Sequence, residues 1–285
     1  MSRIRHAISN LFRLSNIGTM IFFLLNFYIL FALFGGDPSI IGLYVISLVI
    51  SFSPIGQSLL CTFNGAKRMV RTDMRERVLP VVEEVYAAAK RKTPELPNRI
   101  RVRVMYDPNP NAFAIGTNTI CVTEGMLDLP DNEMAGIIAH EMGHLALQHT
   151  VVQILIGSGN LIMTIIMLFL ELMRAIFSVG TVVGTVSRSR GSGLGAIFAA
   201  LSAGIIFLWT KICMLFLMGS SRANEYRADE YAFQIGYGED LAEALDRLTM
   251  GTPQATLLKA LNSSHPEPGD RIGRLQSMGV TYSRY

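Results

Sequence analysis

Four long apolar stretches constrain the fold of this chain more than any other feature of its 285 residues. Each is close to the roughly 20 residues that a helix needs to cross a bilayer. They cover residues 17–34, 40–60, 151–170 and 194–218. Half of the residues are hydrophobic and only 16% are charged, against about 25% charged in ordinary soluble proteins. These patterns predict a membrane protein.

The first stretch begins after Arg3, Arg5 and Arg13, an arrangement that is also typical of a signal peptide. The apolar run exceeds the usual length of a signal sequence, and no pair of small residues marks a cleavage site after it. We therefore predict an uncleaved anchor. A short turn at 35–39 leads into the second stretch, and residues 1–62 are predicted to form a transmembrane hairpin.

The positions of Lys and Arg residues predict the orientation. With four crossings, ten of them share one side, namely Arg3, Arg5, Arg13, Lys67, Arg68, Arg71, Arg75, Arg77, Arg222 and Arg227. The opposite side has Arg174, Arg188 and Arg190. The larger set is expected in the cytoplasm. Residues 151–218 could instead form a re-entrant pair, and both topologies stay open.

The residues between the second and third stretches have ordinary globular character. Apolar positions at helical spacing predict a helix over 71–92. Alternation of basic and apolar residues predicts a strand over 99–107. Two further short strands are predicted over 111–116 and 118–126, with Gly116 and Thr117 at the tight turn between them.

The sequence HEMGH at 140–144 lies within a predicted amphipathic helix that begins near Pro130 and Asp131. Histidines four residues apart share one helix face, so His140 and His144 can bind one zinc ion. Glu141 lies about 100° further round the helix and can take a proton from a water molecule instead of binding the metal. The alternative is a chance pair of surface histidines, and the position in the middle of a helix argues against it.

A second polar segment, residues 221–232, offers the remaining groups. Glu225 and Asp229 are four apart, so Glu225 can be the third zinc ligand while Asp229 accepts the outer N–H of a zinc-bound histidine. The alternative is an exposed charged helix with surface ion pairs. Because His140 and Glu225 must share one side of the membrane, the chain between them must cross it an even number of times. His149 stands one residue too early for the third histidine of a metzincin and is interpreted as an ordinary polar residue near the membrane edge.

Charge and cysteine content exclude two other classes. A net charge of +3 without a basic stretch interleaved with aromatic residues argues against nucleic-acid binding. Cys61, Cys121 and Cys213 form no closely spaced pair, which favours free thiols in a reducing compartment over disulfides or a cysteine zinc site.

In combination, these motifs resemble the HtpX-type integral-membrane zinc metalloproteases, which are gluzincins similar to the CAAX prenyl proteases. The resemblance rests on the N-terminal hairpin, NAFA (111–114), HEMGH, the split hydrophobic pair, SRANEYRAD (221–229) and HPEPGDRI (265–272). It implies one Zn²⁺ per chain, with His140, His144 and Glu225 as ligands and Glu141 as the general base.

The resemblance also implies a fold, a location and a substrate class. The expected fold is mostly α with a small β-sheet, an α+β zincin-like catalytic domain on a multi-pass α-helical membrane anchor. The catalytic domain would comprise residues 63–150 and 219–285, interrupted by 151–218. Its site would face the cytoplasm at the cell membrane and act on unfolded or misfolded proteins, including damaged membrane proteins, in protein quality control. NAFA would be an edge strand to which an extended substrate adds.

Three other functions are alternatives to this one. A CAAX-type prenyl-protein protease normally has more crossings than four stretches supply. A non-catalytic membrane scaffold or chaperone would have no use for Glu141. A transporter is disfavoured because the first two stretches carry no ionisable residue and no inverted repeat is visible. His265 could stabilise an oxyanion, or its HP pair could only turn the chain before a terminal helix, with Asp270 and Arg271 in surface pairs. Nothing in the sequence specifies the number of subunits.

Overall fold

The computed structural model describes residues 17–151, 222–250 and 266–282, together with single helical positions between 154 and 208. Most of the third and fourth apolar stretches, Cys213 and His265 lie outside the described residues. Contacts divide the chain into two compact units. One comprises Met1–Ile17, Ile50–Ile154 and Ser220–Tyr285, and the other comprises Gly18–Val49 and Leu155–Gly219.

The second of these units contains a helical hairpin. Helix α1 (Ile17–Leu33) is followed by a turn with positive φ at Gly35 and Gly36, and helix α2 (Ser39–Phe52) begins directly after it. The two helices bury Leu30, Ile40 and Tyr44 between them. The predicted turn at 35–39 therefore lies where the sequence places it.

The second apolar stretch is not one continuous helix. It breaks at Ser53, whose hydroxyl accepts a hydrogen bond from the Gly56 N–H at 3.2 Å, and helix α3 (Pro54–Phe63) begins there. Proline suits the first position of a helix, and an extended serine before it is a favourable cap. Within the described part of the chain, no single helix is long and apolar enough to cross a membrane, but α2 and α3 together, bent by 72°, reach that length and composition.

A four-stranded mixed sheet forms the centre of the other unit. Strands β3 (Ala112–Ile115) and β4 (Thr119–Thr123) form the predicted antiparallel hairpin, with Gly116 at a φ of +66° in its turn. Strand β2 (Arg101–Met105) lies parallel to β4, and the short β1 (Lys67–Arg68) pairs antiparallel with β2, giving the order β1-β2-β4-β3. The predicted strand over 118–126 ends at Thr123, because Glu124–Asp128 form a 3-10 helix that buries Met126.

Besides α3, five further helices among the described residues belong to this unit. They are α4 (Thr72–Lys92), α5 (Asp131–Ala146), α6 (residues 222–234), α7 (Gly238–Met250) and α8 (Pro268–Ser277). Helix α5 is the central one, because it packs against α4, α7 and the sheet. The predicted apolar stripe of α4, which includes Val78, Val82 and Val85, is buried in this core. The architecture confirms a mostly helical fold with a small sheet.

Candidate metal centre

A close contact between α5 and α6 positions the two polar motifs beside each other. Gly143 of HEMGH faces Ala228, and a Cβ added at Gly143 would lie 3.1 Å from the Ala228 Cα and carbonyl oxygen. Helices approach this closely only where one of them lacks a side chain. The glycine between the two histidines therefore allows Glu225, one turn before Ala228, to reach the histidine face.

The structure brings His140, His144 and Glu225 together around one point. The two Nε2 atoms are 3.2 Å apart, and the Glu225 carboxylate oxygens lie 3.3 Å from His140 Nε2 and 3.4 Å from His144 Nε2. Ligand atoms of a tetrahedral zinc site with bonds of 2.0–2.1 Å are about 3.3 Å apart. The three donors thus have the separations that such a metal ion requires, and the donor set of two imidazoles and one carboxylate fits zinc.

Glu141 lies beside this cluster and is held by the sheet. Its Oε1 is 3.9 Å from His140 Nε2, farther than the Glu225 carboxylate, and its Oε2 accepts a hydrogen bond of 2.7 Å from the Ala114 N–H. Its side chain is nearly buried. Glu141 therefore lies next to the two histidines, but the Glu225 carboxylate is closer to them.

Asp229 and Arg271 form a buried layer behind His140. His140 Nδ1 lies 2.8 Å from Asp229 Oδ1, as the spacing in the sequence predicts. Arg271 binds the same carboxylate through two contacts, Nη2 to Oδ1 at 2.6 Å and Nε to Oδ2 at 2.9 Å. Burial acts to raise the pKa of Asp229, but hydrogen bonds from Arg271 and His140 outweigh it and lower that pKa to about 2. The interpretation of Arg271 as half of a surface pair is wrong, because α8 carries it into the core.

The carboxylates around His140 create a field that favours positive charge. Burial and the Arg271 charge act to lower the pKa of His140, but hydrogen bonds to Asp229 and Glu225 and the Asp229 charge raise it to about 9. A field that holds a proton on a buried imidazole also favours a divalent cation in the proton's place. The electrostatics therefore agree with the donor geometry.

His149 lies beside this cluster, and its interpretation as an ordinary polar residue is wrong. It is only 4% exposed, and its Nδ1 lies 3.0 Å from His144 Nδ1. Burial and the neighbouring His144 hold the pKa of His149 well below its usual range, so its neutral ring can accept the outer N–H of His144. Helix α5 ends at Ala146, and Gln148 has a φ of +59°, so the chain turns back and returns His149 to the histidine cluster.

A cleft of about 610 Å³ opens in front of Glu141, His144 and Glu225. Strand β3 forms one wall of it and is an edge of the sheet, because within the described residues it pairs with β4 alone. The backbone of Asn111 is hydrogen-bonded to Thr123 of β4. The N–H of Ala114 instead points away from β4 and donates to Glu141. Backbone groups of alternate residues, Ala112 and Ala114, therefore face the cleft.

A cluster of donors that fits a metal ion, beside a further carboxylate and a strand edge, is the arrangement of a metal-dependent peptidase. Known proteins agree with this class. The model of peptidase family M48 matches residues 73–279. A protease HtpX homolog from Dictyoglomus thermophilum is 29% identical over 96% of this chain and 86% of its own. Another, from Caldanaerobacter subterraneus, is 32% identical over 70% of this chain and 71% of its own.

The chain belongs to peptidase family M48 and is a metalloprotease. Its fold is similar to that of S. mikatae Ste24p, with a TM-score of 0.51 and 19% identity over 96% of this chain. The chain spans 65% of the length of the Ste24p chain.

Proposed function

We propose that this metalloprotease is a membrane-bound zinc endopeptidase in which His140, His144 and Glu225 hold one zinc ion and Glu141 is the general base. The observation that carries the proposal is the set of 3.2–3.4 Å separations among the three donor groups. When bound, zinc would polarise a scissile carbonyl and lower the pKa of a water molecule towards 7.

The residues around the three donors transfer protons and orient the histidines. Glu141 accepts the proton of the attacking water and then transfers it to the nitrogen of the leaving amine as the C–N bond breaks. Asp229 and His149 bind the outer nitrogens of His140 and His144, which fixes the imidazole tautomers with Nε2 free for the metal. Arg271 holds Asp229 ionised and in place.

The open edge of β3 supports a preference for extended substrates. An unfolded segment can add to this edge as a further strand and be bound through its backbone, with little dependence on its side chains. In folded proteins most backbone groups are already hydrogen-bonded within the structure, so few segments are available to pair in this way. We therefore propose unfolded or misfolded proteins, including damaged membrane proteins, as the substrates.

Exposed apolar side chains support the proposed membrane location. Large hydrophobic side chains on α1 and α2 lie on the surface, and Leu24, Tyr28 and Val49 are 57%, 67% and 65% exposed. Such a surface is unfavourable in water and suits lipid. We propose that residues 1–62 and 151–218 form the anchor, that residues 63–150 and 219–285 form the catalytic domain, and that the basic residues hold this domain on the cytoplasmic side.

The test compares detergent-purified wild type with Glu141→Gln for zinc content and for cleavage of casein. We expect about one zinc per chain in both and a loss of cleavage of several orders of magnitude in the variant, because the amide cannot accept the proton. Glu76→Gln, an exposed carboxylate on α4, is the matched control and should cleave as wild type does. Cleavage by Glu141→Gln at the wild-type rate would refute the assigned base.

A further inference from the structure

A second large cavity lies away from the metal centre. This groove has a volume of about 840 Å³ and lies between α3, α4 and the part of β2 that β1 leaves uncovered, since β1 pairs only with Arg103 and Val104. Pro54 and Ser58 of α3 form one wall. Its volume is in the range of small-molecule sites.

Arginine is the most frequent residue type in the lining of this groove. Five arginines from three separate segments line it, namely Arg68, Arg75, Arg99, Arg101 and Arg103, against a single carboxylate, Glu83, among the described lining residues. None of the five forms an ion pair with a carboxylate of the described chain, whereas neighbouring Arg71 and Arg77 are paired with acidic residues. Arginines around one groove that have no carboxylate partner among the described residues favour the binding of an anion.

Exposed apolar side chains lie on the face of α3 next to the one that lines the groove, about 100° further round the helix. On α3, Ile55 and Leu59 follow the lining residues Pro54 and Ser58 by one position and are 70% and 47% exposed. Helix α3 is also the second half of the bent pair that is long and apolar enough to cross a membrane. Helix α3 thus carries two lining residues of the arginine-rich groove and, on the neighbouring face, an exposed apolar strip formed by Ile55 and Leu59.

We propose that this groove binds the phosphate headgroup of an anionic phospholipid, whose acyl chains lie along Ile55 and Leu59. Arginine binds phosphate oxygens through paired N–H donors, and the adjoining apolar strip suits the lipid tail. A free phosphate would use the arginines alone. An acidic peptide added to the edge of β2 would leave the apolar strip exposed. The proposal rests on the proposed membrane location but is independent of the zinc chemistry.

The test titrates the full chain in a neutral detergent with dioctanoyl phosphatidylglycerol by calorimetry, with dioctanoyl phosphatidylcholine as the neutral match. The variant Arg75→Gln/Arg101→Gln removes one charge from each of two walls. The control Arg91→Gln/Lys92→Gln removes the same charge from exposed positions of α4 outside the groove. Zinc content and thermal unfolding of each variant verify that it folds.

We expect saturable binding of phosphatidylglycerol to wild type and to the control, with affinity roughly tenfold lower in the groove variant and lower still in high salt. Equal affinity for phosphatidylcholine, or unchanged binding by the groove variant, would overturn the proposal. Displacement of the lipid by an equal concentration of inorganic phosphate would show a site for free phosphate, and displacement by an acidic peptide would show a peptide site. Either result would also overturn it. Because peptide cleavage is not measured, failure here leaves the proposed catalysis unaffected.

Discussion

At the scale of single residues, His144 depends on one neighbour for its orientation. Its outer nitrogen lies 3.0 Å from His149 Nδ1, and the low pKa of His149, caused first by burial, keeps that ring neutral. This hydrogen bond fixes the tautomer that leaves His144 Nε2 free for a metal. His149 is therefore a positioning residue.

We predict that His149→Phe lowers zinc affinity about 10- to 100-fold, because the ring is replaced at similar volume but the acceptor is lost. His149→Asn restores an acceptor oxygen and should recover part of that loss. Competition with a chromophoric chelator measures both affinities. If the phenylalanine variant bound zinc as tightly as wild type, His149 would be no more than a packing residue.

The sequence allows some of these residues to be predicted and hides others for a physical reason. The helical spacing of His140, Glu141 and His144 is enough to predict their roles. Once that motif is recognised, the helical spacing of Glu225 and Asp229 predicts theirs. Arg271 and His149 enter the site through tertiary structure, by the packing of α8 and by the turn at Gln148. Their local sequence predicts only a charged helix and a polar residue after a helix end.

At the scale of helices, the approach of α6 to α5 requires the absence of a side chain at Gly143. A Cβ there would meet Ala228 backbone atoms at 3.1 Å, so α6 would have to move by a few tenths of an ångström. That movement would carry Glu225 away from the two imidazoles.

We predict that Gly143→Ala weakens zinc binding by about tenfold and destabilises the protein by about 1–3 kcal/mol through overpacking. Gly273→Ala is the matched control, because a Cβ at that exposed position of α8 meets nothing within 4 Å. The control should keep its zinc affinity and gain a few tenths of a kcal/mol. Equal zinc affinity in both variants would contradict a requirement for close helix contact.

Strand β3 gives a prediction about the substrate. Because only alternate residues of an added strand bond to an edge, single N-methylation along a peptide substrate should lower kcat/KM at every second position. Each lost hydrogen bond should cost roughly threefold to tenfold. A series of methylated peptides, assayed for cleavage, gives the pattern. A uniform effect along the peptide would exclude binding as a strand.

Elements differ in how clearly their sequences specify them. The helix over 72–92 and the hairpin around Gly116 follow from periodicity and turn chemistry. Strand β1 has only two residues, too few for any alternation to be visible. Hydrophobicity does not predict the break at Ser53, because the apolar character continues through it, although Ser-Pro is a helix-start signal. Parallel pairing of β2 with β4 depends on contacts that no local pattern encodes.

At the scale of the whole molecule, the candidate site is assembled from distant parts of the chain. HEMGH and Glu225 lie on either side of the third and fourth apolar stretches, yet their donor atoms are 3.3–3.4 Å apart. HEMGH and Glu225 belong to the same compact unit, which is formed from residues before and after Leu155–Gly219. A metal bound here would therefore join the two parts of the catalytic fold.

The most direct test of this account is the zinc content of purified Glu225→Ala compared with wild type after equal dialysis. We expect about one zinc per wild-type chain and little in the variant, since two histidines alone hold zinc weakly. Equal zinc in both would contradict the ligand set, and wild type without zinc would contradict the metal centre itself.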